Sequence, residues 1–161
     1  MVSRVTRDWG VRLVFEPGRL IVGNAGVLLT EVIRVKDGPS HPFVVIDAAM
    51  NDLLRPTLYD AWHGIEAVVP SGQTMRADVV GPVCETGDSF AQARTIDRVE
   101  AGDLMMIRTA GAYAATMGST YNSRPLTPEV LVDGDRWAVV RERQSIESMM
   151  AGEKIPEWLR R

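Results

Sequence analysis

The chain has 161 residues, 45% hydrophobic and 24% charged, with a formal net charge of −3 at neutral pH. That length buries one good core, and the mild acidity lacks the clustered Lys and Arg that nucleic-acid binding draws on. No apolar stretch approaches the roughly 20 residues of a membrane helix, and a single cysteine excludes an intrachain disulfide framework.

Arg4 and Arg7 are followed by no apolar run, so no signal peptide is expected and the cytoplasm is the expected compartment. Val11-Arg12-Leu13-Val14-Phe15 reads as a buried strand stopped by Pro17 and Gly18. Residues 20–25 leave room for one helical turn between Gly23 and Gly26. Residues 27–35 are rich in β-branched side chains and run into the turn signal Asp37-Gly38-Pro39. Residues 43–47 form a strong strand signal. Residues 52–63 mix helix and loop, broken at Pro56. Residues 65–69, 77–80 and 104–108 read as further strands, and residues 110–117 as the start of a helix.

Residues 130–132 and 137–140 flank Asp133-Gly134-Asp135-Arg136, the strongest local hairpin signal in the chain. Ser145 is placed to cap a last short helix, with Glu147 favoured in its first turn. About eight short strands and few helices predict a mainly β fold, a barrel or sandwich with functional loops.

The one cysteine lies in Gly81-Pro82-Val83-Cys84-Glu85-Thr86-Gly87-Asp88, at the end of a strand. A thiol beside a carboxylate suits a proton donor better than a nucleophile. Three other polar loops are candidates for the same site: Glu16-Pro17-Gly18-Arg19, Arg55-Pro56-Thr57-Leu58-Tyr59 and Gly111-Ala112-Tyr113. The first pairs a bare backbone with a guanidinium, a combination that approaches phosphate or carboxylate closely. The only lysines, Lys36 and Lys154, lie near none of these loops. No metal site is expected. His63 reads as a packing residue, the Met105-Met106 and Met149-Met150 pairs as core filler, and Trp9, Trp62, Trp137 and Trp158 as packing.

Taken in order, several strings resemble one family. They are residues 16–19 with Ile21-Val22-Gly23-Asn24-Ala25-Gly26, residues 45–52, residues 55–61, residues 81–88, Gly102-Asp103-Leu104, Gly111-Ala112-Tyr113 and Tyr121-Asn122-Ser123-Arg124-Pro125. Together they resemble the pyridoxal-phosphate-dependent diaminopimelate decarboxylases, built like alanine racemase from a (β/α)8 barrel and a β-domain. The resemblance implies that residues 1–25 are the last barrel strand and its phosphate-side loop, and that residues 26–161 are the C-terminal β-domain. It implies pyridoxal 5′-phosphate as cofactor and conversion of meso-diaminopimelate to L-lysine and CO2.

By the same resemblance Cys84 is the catalytic proton donor. Glu16, Pro17, Gly18, Arg19 and Tyr113 contact the cofactor. Arg19, Arg55, Tyr59, Glu85 and Tyr113 contact the substrate, with Glu85 reading its distal ammonium. The family's Schiff-base lysine has no counterpart here, so the isolated chain is expected to be inactive and to need a barrel half. A homodimer with shared active sites is implied, with no nucleic-acid or membrane partner. An ornithine- or arginine-type decarboxylase of the same fold, or a non-catalytic β-domain serving assembly, are the alternatives.

Overall fold

The computed structural model describes residues 2–160. Eight strands occur among them: β1 (Leu28–Lys36), β2 (Phe43–Ile46), β3 (Ile65–Ala67), β4 (Thr74–Val80), β5 (Ser89–Asp97), β6 (Leu104–Ile107), β7 (Glu129–Asp133) and β8 (Arg136–Arg141). The α-helices are short: α1 (Val2–Val5), α2 (Arg55–Tyr59) and α3 (Ile146–Met150).

Alternation drives the strands inward. In β2, Val44 and Ile46 are fully buried while Phe43 and Val45 are not, the period-2 pattern of a half-buried strand. Val32, Ile65, Val79, Ile96, Met105 and Ile107 join them in one core. The strands form one six-stranded sheet in the order β3-β6-β1-β2-β4-β5. Only the β2/β4 pair is parallel, which requires the long connection through α2 and β3. The edge strands nearly meet: Ala67 N–H on β3 donates to Asp97 Oδ2 at the end of β5 at 2.9 Å. Arg94 on β5 also reaches the carbonyl of His63, just before β3. The sheet thus curls into a nearly closed barrel, which covers its own edges.

β7 and β8 form a separate antiparallel hairpin. Gly134 opens its two-residue turn with φ +62°, a conformation that glycine adopts without strain. Ser145 caps α3, its hydroxyl accepting from Ser148 N–H at 3.1 Å.

The structure corrects several expectations. Residues 11–15 form no strand. A strand needs a ladder partner, no described strand offers one, and Val11, Val14 and Phe15 stand 61%, 76% and 65% exposed. The eighth strand is instead β5, whose Gln92, Arg94 and Thr95 mask it in sequence. A positive φ at Ala93 and register shifts against β4 break its alternation, as a bulge does. Residues 110–117 make turns and a 3-10 segment (Ala115–Met117), with Tyr113 at φ +62°. Pro56 opens α2 rather than breaking it, because a first-turn N–H has no helical acceptor to lose. All four tryptophans are more than half exposed.

Candidate functional site

Topology decides where the polar loops go. β1 begins where β6 ends, with Leu28 opposite Ile107. β3 begins there too, with Ile65 opposite Ile107. β2 and β4 run parallel to the same end, and β5 returns from it. The segments 16–26, 47–64, 81–88 and 108–123 therefore leave one end of the barrel. Lys36 ends β1 at the other end, about 25 Å from Leu28 at strand rise.

Direct contacts link all four predicted loops, the cysteine loop through the hydrogen bond from Thr57 to Gly87 O. α2 places Arg55 and Tyr59 four residues apart on one face. The Arg55 guanidinium lies 5.2 Å from the Tyr59 ring centre and 5.4 Å from that of Tyr113, a cation held between two aromatic faces. Tyr113 in turn stands over the bare backbone of Gly18, where an added Cβ would come 2.9 Å from its hydroxyl. The strand-leaving turn is packed backbone on backbone. A Cβ at Gly26 would sit 2.6 Å from Gly111 Cα, and Gly111 N–H donates to Gly23 O at 3.0 Å.

Arg19 runs beside Gly23 and its backbone carbonyl accepts from Gly23 N–H at 2.8 Å. Among the described residues, neither Arg19 nor Arg55 is in an ion pair. Glu16 and Pro17 are exposed beside them. Two cations, a glycine backbone and two phenols can hold an anionic ligand with a phosphate or carboxylate group. The bare backbone at Gly18 and the uncommitted Arg19 fit the phosphate of a pyridoxal cofactor.

The cysteine loop is built around Asp88. Its buried carboxylate accepts Met50 N–H at 2.7 Å on one oxygen and Val83 N–H at 2.9 Å on the other. Burial pushes this carboxyl up from its ordinary value, against the pull of those two donors. Thr57 on α2 donates to Gly87 O at 2.6 Å and ties the loop to the arginine helix. Cys84 and Glu85 project from this support, exposed. No hydrogen bond, ion pair or ring contact joins either of them to Arg19, Arg55, Tyr59 or Tyr113 among the described residues.

Glu85 has a partner that carried no assigned role in the sequence. Tyr121 donates its hydroxyl to Glu85 Oε2 at 3.1 Å. Beneath it the buried Asn51 donates to the carbonyls of Ser119 and Tyr121 at 3.0 and 2.7 Å. Arg124 donates to Asp47 O at 2.7 Å and stands 3.7 Å from the Asp52 carboxylate. The sequence marked this strap only as one of the family-like strings, Tyr121-Asn122-Ser123-Arg124-Pro125, with no role for any of its residues. His63 is buried, with Nδ1 2.9 Å from Arg108 O and Nε2 without a hydrogen-bond partner among the described residues. Burial lowers its pKa, and the charges of Arg19, Arg55 and Arg94 lower it further. On the other face of α2, Arg94 lies over the Trp62 ring at 5.0 Å and lines a cleft of about 430 Å³ with Thr57 and Gly87.

The family model described as "Pyridoxal-dependent decarboxylase, C-terminal sheet domain" matches residues 12–111. The diaminopimelate decarboxylase of Zymomonas mobilis is 60% identical over 159 residues, covering 99% of this chain and 38% of that protein. That of Neisseria meningitidis serogroup A is 54% identical over 144 residues, covering 89% and 35%. The crystal structure of a diaminopimelate decarboxylase from M. jannaschii in complex with L-lysine superposes with a TM-score of 0.88 at 33% identity, covering 98% of this chain and 37% of that one. The chain thus spans less than two-fifths of the length of these relatives.

Proposed function

The chain belongs to the pyridoxal-dependent decarboxylases, of which it contains the C-terminal sheet domain, and we propose that it works as the C-terminal part of a diaminopimelate decarboxylase. The reaction is the conversion of meso-diaminopimelate to L-lysine and CO2. The observation that carries the reading is the cluster of Gly18, Arg19, Arg55, Tyr59 and Tyr113 at one barrel end, in a chain 60% identical to such an enzyme. In this reading residues 1–25 are the edge of a cofactor-binding barrel and residues 26–161 the β-domain.

Pyridoxal phosphate, when bound, supplies an electron sink for the carbanion left by loss of CO2. Glu16, Pro17 and Gly18 would hold its phosphate region, to which Arg19 would add a cation. Arg55 and Arg19 hold the distal carboxylate of the substrate, and the Tyr59 hydroxyl adds a hydrogen bond. Tyr113, its ring against the Arg55 guanidinium, would contact both cofactor and substrate. Glu85 recognises the distal ammonium. Cys84 delivers a proton from Sγ to the carbon that lost CO2. Among the described residues Cys84 and Glu85 make no hydrogen bond, ion pair or ring contact with the Arg55 cluster of the same chain, although Thr57 and Gly87 tie the two loops together. The lack of a direct contact is in keeping with a two-fold dimer in which the two sets serve different copies of the site. Lys36 lies at the other barrel end and neither lysine matches the family's, so in this reading the attaching amine comes from outside residues 1–161.

The test joins residues 1–161 to the N-terminal remainder of the Zymomonas mobilis enzyme. The chimera should decarboxylate diaminopimelate, and Cys84→Ala should lower kcat by about 10²–10⁴-fold with KM little changed. The 161-residue chain alone should give no stoichiometric borohydride-trapped cofactor adduct. An inactive but folded chimera, or turnover by the chain alone, overturns the reading.

A further inference from the structure

We propose that Tyr121 is the positioning residue that sets the geometry of Glu85, and thereby the choice among substrates by their distal amino group. This rests on the reading of Glu85 given above. The hydroxyl of Tyr121 donates to Glu85 Oε2 at 3.1 Å, and no other side chain among the described residues holds that carboxylate. The remaining oxygen, Oε1, is 3.5 Å from Gly87 N, at the outer limit of a hydrogen bond. One oxygen is thus anchored and the other is open for an ammonium.

The anchor is itself fixed. Asn51 is buried and grips the chain on both sides of Thr120, through the Ser119 and Tyr121 carbonyls. Asn122 and Ser123 follow with φ of 56° and 55°, left-handed backbone that persists only where the surroundings over-determine it. Arg124 then ties the strap back to Asp47 and Asp52. Asp88 fixes the other side, the loop that carries Glu85. A phenol on one rigid support and a carboxylate on another therefore meet at one defined point. Left alone, an exposed glutamate samples many rotamers, and its reach toward an ammonium is undefined. The bond to Glu85 also raises the Tyr121 pKa, so the phenol stays a donor throughout the neutral range.

Tyr121→Phe removes one hydroxyl and leaves the strap intact. In the chimera described above it should raise KM for diaminopimelate by about 3- to 20-fold, the span for a charged hydrogen bond weakened by exposure. kcat should stay within about twofold, and the preference for diaminopimelate over ornithine should fall. Combined with Glu85→Gln, the change should add nothing, because both remove the same interaction. An independent reading uses the 161-residue chain without cofactor. Carbon-13 NMR resolves its three tyrosines, and Glu85→Gln should lower the titration midpoint of Tyr121 and of neither other phenol. Wild-type KM in Tyr121→Phe, additive effects in the double variant, or an unmoved Tyr121 titration each overturn the inference. If Glu85→Gln itself leaves substrate preference intact, the role of Glu85 fails first. If Glu85→Gln acts and Tyr121→Phe does not, only the role of Tyr121 fails.

Discussion

Removing the carboxylate of Asp88 should loosen the cysteine loop by an amount that its hydrogen bonds define. Each oxygen serves a different backbone donor, Met50 N–H at 2.7 Å and Val83 N–H at 2.9 Å. Asp88→Asn keeps one acceptor and turns an amide N–H₂ toward the other donor. A hydrogen bond to a charged group contributes about 1.5–3 kcal/mol, and water reaches these half-buried donors in part, so a loss of about 1–2 kcal/mol is expected. Asp88→Ala strands both donors and should cost about 2–4 kcal/mol, a large share of the ~5–15 kcal/mol that holds a domain folded. Gly81 packs directly on this carboxylate, so Gly81→Ala should displace it and reproduce part of the effect.

Urea denaturation of the 161-residue chain reads the totals, and amide hydrogen exchange at Met50 and Val83 reads the local bonds. The sign with pH follows from the raised carboxyl. Its stabilising contribution is complete below its ordinary value of 3.8 and is lost as pH rises through the higher folded value. Asp88→Asn should flatten that part of the profile. An Asp88→Ala chain with wild-type midpoint and unchanged exchange at both amides would refute the idea that this carboxylate organises the loop.

His63 has the opposite sense. Its folded pKa lies below 6.5, so its contribution is intact above that pH and falls by up to about 1.4 kcal/mol per unit as pH drops toward the folded value. Replacing it with Gln should remove that slope in urea titrations from pH 7 to 5, and an unchanged slope counts against it. Ala93 holds φ 47° in the bulge of β5, so Ala93→Gly should raise stability by about 0.5–1 kcal/mol; a loss would mean that the bulge carries no strain. Val130, Leu131, Val132, Trp137 and Val140 leave the β7/β8 hairpin apolar and exposed. Sedimentation should detect self-association at micromolar concentration that Leu131→Lys weakens, and a clean monomer speaks against an interface there.

What local chemistry determined by itself is clear in β2 and in the last hairpin. Period-2 burial at Val44 and Ile46, and Gly134 between two apolar runs, need only near neighbours and the stereochemistry of glycine. That Arg55, Tyr59 and Tyr113 lie on loops was legible for a similar reason, since Gly and Pro mark those loops, and the structure brings these three side chains together. Contacts between distant segments lay beyond such reading. Residues 11–15 look like a strand in isolation, yet a strand exists only with a partner, and none of the described strands pairs with them. β5 looks polar and helix-tolerant, yet pairing with β4 and a bulge at Ala93 make it a strand. The meeting of Tyr121 with Glu85, 36 residues away, and of Asp88 with Met50, 38 away, depends on strand order bringing loops to one barrel end. Side-chain type is written in the sequence, but which side chain lies within 3 Å of which is decided by long-range pairing and core packing.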